Sequence, residues 1–261
     1  MEERFAFNQI ANVYKVARPD YPEALIEDVV SYADLKQSDH IVEVGCGTGQ
    51  ATKSFAKRGF PIVAMDPGPE MLRGARENLA GFSNVELLET TFEAWPANRG
   101  AFRLMIAAQS WHWLSPEMRF TKAAEALSPN GSLAVFGHVP VGLPTEFTEL
   151  LAQFKDIYLR RTGEWGPPPE AGYLPAGPFK GWFHESGLFG PVEHRKYPWK
   201  WRRTTLSFTD YLRTRTEYVI MEPAKREEML GEIAKAIDDQ GGELTLDYET
   251  HLYIARRLNR D

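Results

Sequence analysis

Two acids, Glu43 and Asp66, and three glycines between them are the residues of this chain whose types and spacing point most directly to chemistry. They frame Ile41-Val42-Glu43-Val44-Gly45-Cys46-Gly47-Thr48-Gly49-Gln50, an apolar run with one acid that ends in alternating glycines. Glycine has no Cβ, so such a loop lets backbone pass close to a ligand. A dinucleotide fingerprint asks for G-x-G-x-x-G, its third glycine allowing the helix to pack under a pyrophosphate. Here the third glycine comes one residue early, at Gly49, and Gln50 holds the fingerprint position. An acid just ahead of the loop suits a ligand with a positive amino group better than one bearing phosphates. A phosphate loop is excluded, because no Lys-Ser or Lys-Thr pair stands where the phosphates would need it. By itself the stretch also fits an ordinary glycine-rich strand-to-helix turn.

Asp66 follows the loop by about 20 residues, the spacing at which a carboxylate accepts ribose hydroxyls. Its other use is as an acid favouring the dipole of the next helix. Two further polar and aromatic clusters follow, Thr90-Thr91-Phe92-Glu93-Ala94-Trp95-Pro96 and Gln109-Ser110-Trp111-His112-Trp113. Within the second, His112 is the best single candidate for a general base, flanked by Trp111 and Trp113. Its alternative is to orient a loop or bind substrate by a hydrogen bond.

The elements that must position these residues alternate. Helices are expected at Phe5 to Val16, Pro22 to Ala33, Gln50 to Arg58, Pro69 to Leu79 and Pro116 to Leu127. Strands are expected at His40 to Val44, Pro61 to Met65, Val85 to Glu89, Phe102 to Ala108 and Ser132 to Phe136. This rhythm means an α/β fold with a doubly wound, mostly parallel sheet and right-handed crossovers. In such a sheet ligands bind outside the carboxyl ends of the strands, where each cluster above falls. The rhythm breaks in 140–191, one helical run (Glu146 to Arg160) with proline- and glycine-rich loops and Phe179 to Ser186, long enough for an inserted helical cap. Helices Phe208 to Thr216 and Pro223 to Gln240 and two late strands, Val192 to Trp201 and Glu243 to Ala255, complete a seven-stranded sheet with an antiparallel C-terminal edge. The expected organisation is one domain, 1–261. It has an N-terminal helical lid segment (1–36), a ligand-binding core (37–138), the cap (140–191) and a completing segment (192–261).

Composition narrows the class. With 261 residues the chain fits one large domain. Its formal charge of −6 argues against a broad nucleic-acid footprint. A single cysteine rules out an internal disulfide and points to a reducing compartment. No stretch approaches the roughly 20 apolar residues of a membrane span, and the N-terminus lacks a signal-like run. The expected location is cytoplasmic. No metal cluster stands out among six histidines.

The chain resembles the class I S-adenosylmethionine-dependent methyltransferases, in their small-molecule, type 11-like branch. Glu43 to Gly49 matches that superfamily's first motif, and Asp66-Pro67-Gly68-Pro69-Glu70-Met71-Leu72 its second. Gln109 to Trp113 and Leu127-Ser128-Pro129-Asn130-Gly131-Ser132-Leu133 are similar to the motifs of strand four and before strand five. Ala11-Asn12-Val13-Tyr14 through Arg18-Pro19-Asp20-Tyr21-Pro22 fits the same branch. The likeness covers residues 5 to 138 and is specific for S-adenosyl-L-methionine, with S-adenosyl-L-homocysteine as product, while nearly silent on the acceptor.

The resemblance assigns roles. Gly45, Cys46, Gly47 and Gly49 would form the methionine-side wall, with Cys46 a small buried residue rather than a nucleophile. Glu43 would serve the ammonium, directly or through water, and Arg18 the carboxylate, with Tyr14 closing the site. Arg18 and Tyr14 read equally well as a surface ion pair and a packing aromatic. Asp66, with Pro67 beside it, would take the ribose diol. Met71 would pack on adenine or in the core. Thr91 and the Phe92 N–H would face the adenine edge, and the Gln109 carbonyl the methyl-bearing end. Many relatives carry an acid where Thr91 stands, and a hydroxyl accepts more weakly. Asn130 replaces a glycine of a common turn, and asparagine tolerates the left-handed angles required.

For the acceptor, Trp111, Trp113, Tyr158 and Trp165 are candidate contacts, and Arg160, Arg161, Tyr173, Trp182 and His184 add to an aromatic, partly basic insert suited to an aromatic or anionic small molecule. Equally, these aromatics are the insert's own core. Three rivals stay open: a nicotinamide or flavin oxidoreductase, a non-catalytic S-adenosylmethionine binder, and a nucleic-acid or protein methyltransferase. The last rests on Lys196, Lys200, Arg202 and Arg203 with Trp199 and Trp201. Oligomeric state is not encoded in any feature recognised here.

Overall fold

The computed structural model describes residues 10–166 and 169–259, without the side chains of Asn12 and Pro169. Residues 5–9 of the first expected helix lie outside them.

Strands form where the chain is apolar enough to be covered on both sides. β1 (Ile41–Val44), β2 (Ile62–Asp66), β3 (Val85–Glu89) and β4 (Phe102–Ala108) are parallel neighbours, joined by β5 (Leu127–Gly142) beside β4. β6 (Glu193–Thr204) and β7 (Glu243–Arg256) complete a seven-stranded sheet of order β3-β2-β1-β4-β5-β7-β6. β7 runs antiparallel to both β5 and β6, and β6 is outermost. The expected antiparallel edge is therefore a two-strand unit whose reversed member lies one place in.

Alternating side chains send each strand into two cores. Ile41, Ile62, Ala64, Leu104 and Ile106 pack under α2 (Glu23–Ala33), α3 (Gln50–Ala56) and Leu72 of α4 (Pro69–Asn78). Val42, Val44, Met65, Met105 and Leu133 pack on the other side under α5 (Arg119–Ala126) and α7 (Phe179–Ser186). This parity puts Glu43 on the Ile41 side, facing Thr52 of α3.

β5, β6 and β7 are longer than their partners. The start of β7 (Leu244, Leu246, Tyr248) carries a third core, made with α6 (Thr148–Thr162), α8 (Thr205–Arg213) and α10 (Pro223–Asp238). Ala17 of α1 (Ala11–Ala17) and Tyr218 of α9 (Thr216–Val219) join it. Residues 140–191 thus divide. α6 belongs to this helical cluster, through Leu150, Phe154 and Ile157 at helical spacing. α7 returns to the sheet, where Phe179 and Phe183 are buried.

Candidate active site

The carboxyl ends of β1, β2, β3 and β4 open into one cavity of about 420 Å³. Tyr14, Arg18, Gly45, Gly47, Asp66, Pro67, Met71, Thr91, Phe92, Gln109, His112 and Trp113 all line it. A void of about 30 Å³ adjoins them, lined by Glu43, Cys46, Gln50 and again Tyr14, Arg18 and Gln109.

Backbone amides fix the acid at the end of β2. Asp66 accepts from the Gly47 N–H at 2.9 Å through Oδ2 and from the Gly68 N–H at 2.8 Å through Oδ1. Its pKa is raised by burial, against the pull of those two N–H groups. Glu43 is buried with one hydroxyl donor, Thr52 Oγ1, at 2.6 Å. Burial pushes its carboxyl up to about 8, Thr52 working against that and Asp66 adding to it. Beside it the Gln50 Nε2 is buried and has no hydrogen-bond partner among the described residues. An uncompensated donor and a raised acid around a void the size of one water call for a polar or cationic visitor.

Two chain segments are forced together where β1 and β4 end. Gly45 has φ +68°, and a Cβ there would stand 2.5 Å from the Ser110 Cβ. Ser110 Oγ donates to the Val44 carbonyl, stitching the ends. Just before it, Gln109 holds φ 58°, a left-handed conformation that costs a non-glycine residue energy and is found where a site over-determines the backbone.

Arg18 is anchored from the far side of the molecule. Its Nε donates to Thr214 Oγ1 at 2.9 Å and its Nη2 to the Thr214 carbonyl at 2.6 Å, while its guanidinium lies 4.8 Å from the Tyr14 ring centroid. Thr91 Oγ1 accepts from the Ala94 N–H at 3.1 Å, so part of its acceptor capacity is used locally. His112 Nδ1 lies 3.4 Å from the Tyr173 hydroxyl. Its side chain lines the cavity and is exposed there. Desolvation by the surrounding atoms, with Arg119 nearby, lowers its pKa.

Some expected residues stand elsewhere. Gly49 touches neither cavity; a Cβ there would lie 2.9 Å from Leu79 Cδ1, so its place is the α3–α4 contact. Trp111 is fully buried among core aromatics, since the 3-10 turn Trp111–Trp113 turns only its later residues to the cavity. Tyr158 bonds to the Tyr218 hydroxyl in the helical cluster, and Trp165 packs edge-on against Tyr158, half in solvent. Sequence reasoning missed the lining residues Glu170, Thr216, Glu217 and Ile220. Their only sequence signal is the pair of acids around Arg215 and in the proline-rich loop, which spacing alone does not single out.

The basic cluster of β6 is satisfied across the sheet. Lys196 pairs with Glu249, Lys200 with Asp247 and Arg202 with Glu243, while Arg203 lies over Trp201. Trp199 and Trp201 point into the third core. Among the described residues no helix is long and apolar enough to cross a membrane.

A family described as "Methyltransferase domain" matches residues 41–131. An uncharacterized methyltransferase of Mycobacterium tuberculosis is 32% identical over 130 residues, covering 50% of this chain and 51% of the relative. A trans-aconitate 2-methyltransferase of Paracidovorax citrulli is 30% identical over 112 residues, covering 41% and 42%. The chain spans about half the length, or less, of these curated relatives. A solved structure named as a candidate type II methyltransferase from Anaeromyxobacter dehalogenans superposes with TM-score 0.67 over 92% of this chain and 97% of that one, at 22% identity, a likeness of fold alone. Residues 41–131 thus match a methyltransferase domain, and the fold as a whole is that of a solved methyltransferase structure. The part of the methyltransferase domain matched by the family holds Glu43, Asp66, Thr91, Gln109 and His112. Arg18 precedes it, and Glu170 and Glu217 follow it.

Proposed function

We propose that this chain is an S-adenosylmethionine-dependent methyltransferase acting on a small-molecule acceptor. The observation that carries this reading is the donor set around one cavity: Asp66 fixed by two amides, Glu43 with Gln50 at the adjoining void, and Arg18 tied to Thr214. These residues fit the cofactor. Asp66 would accept from the ribose diol, Arg18 would hold the methionine carboxylate with Tyr14 over it, and Glu43 would accept from the ammonium, with room for one water that would also accept from Gln50 Nε2. Met71 lines the cavity and would lie against adenine; Thr91 and the Phe92 N–H would meet its edge, Thr91 weakly. Bound there, the cofactor supplies an electrophilic methyl group on a sulfonium. The chain's own residues align the acceptor and exclude water.

His112 is assigned to orientation. An imidazole whose pKa is lowered below its ordinary value is a weaker proton acceptor near neutrality, whereas an effective base has a pKa close to the working pH. It accepts or donates one hydrogen bond, steadied by Tyr173. His112→Ala is expected to lower the methylation rate without changing the shape of its profile between pH 6 and 9. A limb near neutrality that vanishes in the variant would restore the base role.

Small-molecule action is supported by the cavity's volume of about 420 Å³, by the paired rather than open charges of β6, and by the trans-aconitate enzyme's own named acceptor. Calorimetry with S-adenosylmethionine and S-adenosylhomocysteine tests the reading. Asp66→Ala is expected to weaken both by about 100-fold, the loss of two charge-assisted hydrogen bonds. Folded wild-type protein that binds neither would sink it.

A further inference from the structure

The charges facing the cavity divide unevenly. Apart from His112, Arg18 is the only basic side chain lining it among the described residues, whereas Asp66, Glu93, Glu170 and Glu217 are acidic. Arg18 and Asp66 belong to the donor set. Glu93 lies next to Phe92 at the adenine end, where it accepts from the Ser115 N–H at 3.0 Å. Two carboxylates, Glu170 and Glu217, remain on the wall with Trp113, Thr216 and Ile220.

This pair is held in place. Arg215 is buried and does not line the cavity. It donates Nη2 to Glu170 Oε2 at 3.0 Å, Nε to Glu217 Oε1 at 2.6 Å and Nη1 to the Tyr211 hydroxyl at 3.1 Å. Two carboxylates thus share one guanidinium, which engages one oxygen of each. The insert's basic residues face elsewhere: Arg160 pairs with Asp156 and Glu232, and Arg161 with Glu228 and Glu232. The anionic acceptor suggested by that insert's composition therefore has no cation waiting for it beyond the one committed to the donor.

We infer that the acceptor subsite recognises an amino group, held by the Glu170 and Glu217 carboxylates with the Trp113 ring beside it. A primary ammonium brings three donors to two acceptors and gains from an indole face. A carboxylate in the same place would meet two carboxylates balanced by only one guanidinium, a net negative charge that costs free energy in a partly desolvated pocket. The inference rests on the donor reading above.

Binding to the protein loaded with S-adenosylhomocysteine tests it without requiring turnover. Matched pairs are titrated by calorimetry at pH 7.5: benzylamine against benzoate, and 2-phenylethylamine against 3-phenylpropionate. Each amine is expected to bind at least about tenfold tighter than its acid. Glu170→Gln and Glu217→Gln, which keep an acceptor for Arg215, are expected to weaken the amines about tenfold and to leave S-adenosylhomocysteine affinity within about twofold. Acids binding as tightly as amines, or neither class binding, overturns the inference. The wild-type comparison decides it even where a variant folds poorly. Loss of S-adenosylhomocysteine binding in wild type would instead overturn the donor reading, so the two failures are distinguishable.

Discussion

Two walls of this cavity are built on opposite principles. The first, proposed to hold the donor, is made of strand ends tied to backbone: Asp66 on the amides of Gly47 and Gly68, and Ser110 on the Val44 carbonyl. The second, proposed to face the acceptor, gathers Glu170, Thr216, Glu217 and Ile220 from segments that a single guanidinium holds together. A wall of backbone contacts tolerates loss of one side chain. A wall that depends on one shared charge does not. Arg215→Ala leaves two partly buried carboxylates without their shared guanidinium, and is expected to destabilise the fold by about 2 kcal/mol, the buried-pair cost reduced by their exposure to the cavity. Urea unfolding measures it. Adding Glu170→Gln and Glu217→Gln to Arg215→Met should recover most of that loss, because the penalty lies in the stranded charges. A cost below about 1 kcal/mol would break the contrast.

On the donor side the sensitive points are backbone positions. Gly45→Ala combines a left-handed residue with a Cβ pressed against the Ser110 Cβ, in a wall where neither segment has room to move. About 2 kcal/mol of stability should be lost, together with S-adenosylhomocysteine affinity. Gly49→Ala presses on the Leu79 side chain, which is freer to shift, with Ala75 at ordinary contact distance and the same kind of φ. It is expected to cost about 1 kcal/mol and to leave affinity unchanged, since Gly49 is away from the cavity. The same unfolding and calorimetric experiments separate the two glycines. Equal losses of affinity would show that the loop acts as one unit.

That division also decides what the sequence disclosed. The strand-end wall was legible because each lining residue lies at the end of a strand whose apolar run marks it. The spacing from Glu43 through Asp66 and Thr91 to Gln109 was therefore spatial information. The seven-stranded, mostly parallel sheet followed from the same alternation. Periodicity also explains two acceptor candidates that do not reach the cavity. Tyr158 lies one turn beyond Phe154 on α6, and that face belongs to the helical cluster; Trp165 follows it there. Trp111 and Trp113 look equivalent in sequence, but a 3-10 turn sends one into the core and the other to the cavity. Glu170 and Glu217 left no local trace. Their meaning comes from Arg215, and Arg18 meets Thr214 across 196 positions. Contacts of that range depend on how the third core folds back on the sheet, which no motif records.

A pH-dependent effect tests the proposed donor wall most directly. Glu43 has its folded pKa raised to about 8, above the ordinary value of about 4.3 that it regains on unfolding. Between those values the folded state binds a proton that the unfolded state does not, so this group's contribution to stability falls as pH rises through the window. Glu43→Gln keeps a partner for the Thr52 hydroxyl and removes the titration. Without ligand it should match wild type at pH 5 and exceed it at pH 8 by roughly 1–2 kcal/mol, the full linkage value being reduced by water in the neighbouring void. With the donor bound the sign reverses. A ligand ammonium beside Glu43 favours the ionised carboxylate, so S-adenosylmethionine should bind the wild type about tenfold tighter than the variant and release a proton from the wild type alone. Calorimetry at pH 7 in buffers of different ionisation enthalpy reads that proton. Equal proton release by both proteins would place the ammonium away from Glu43 and leave the acid a structural partner of Thr52.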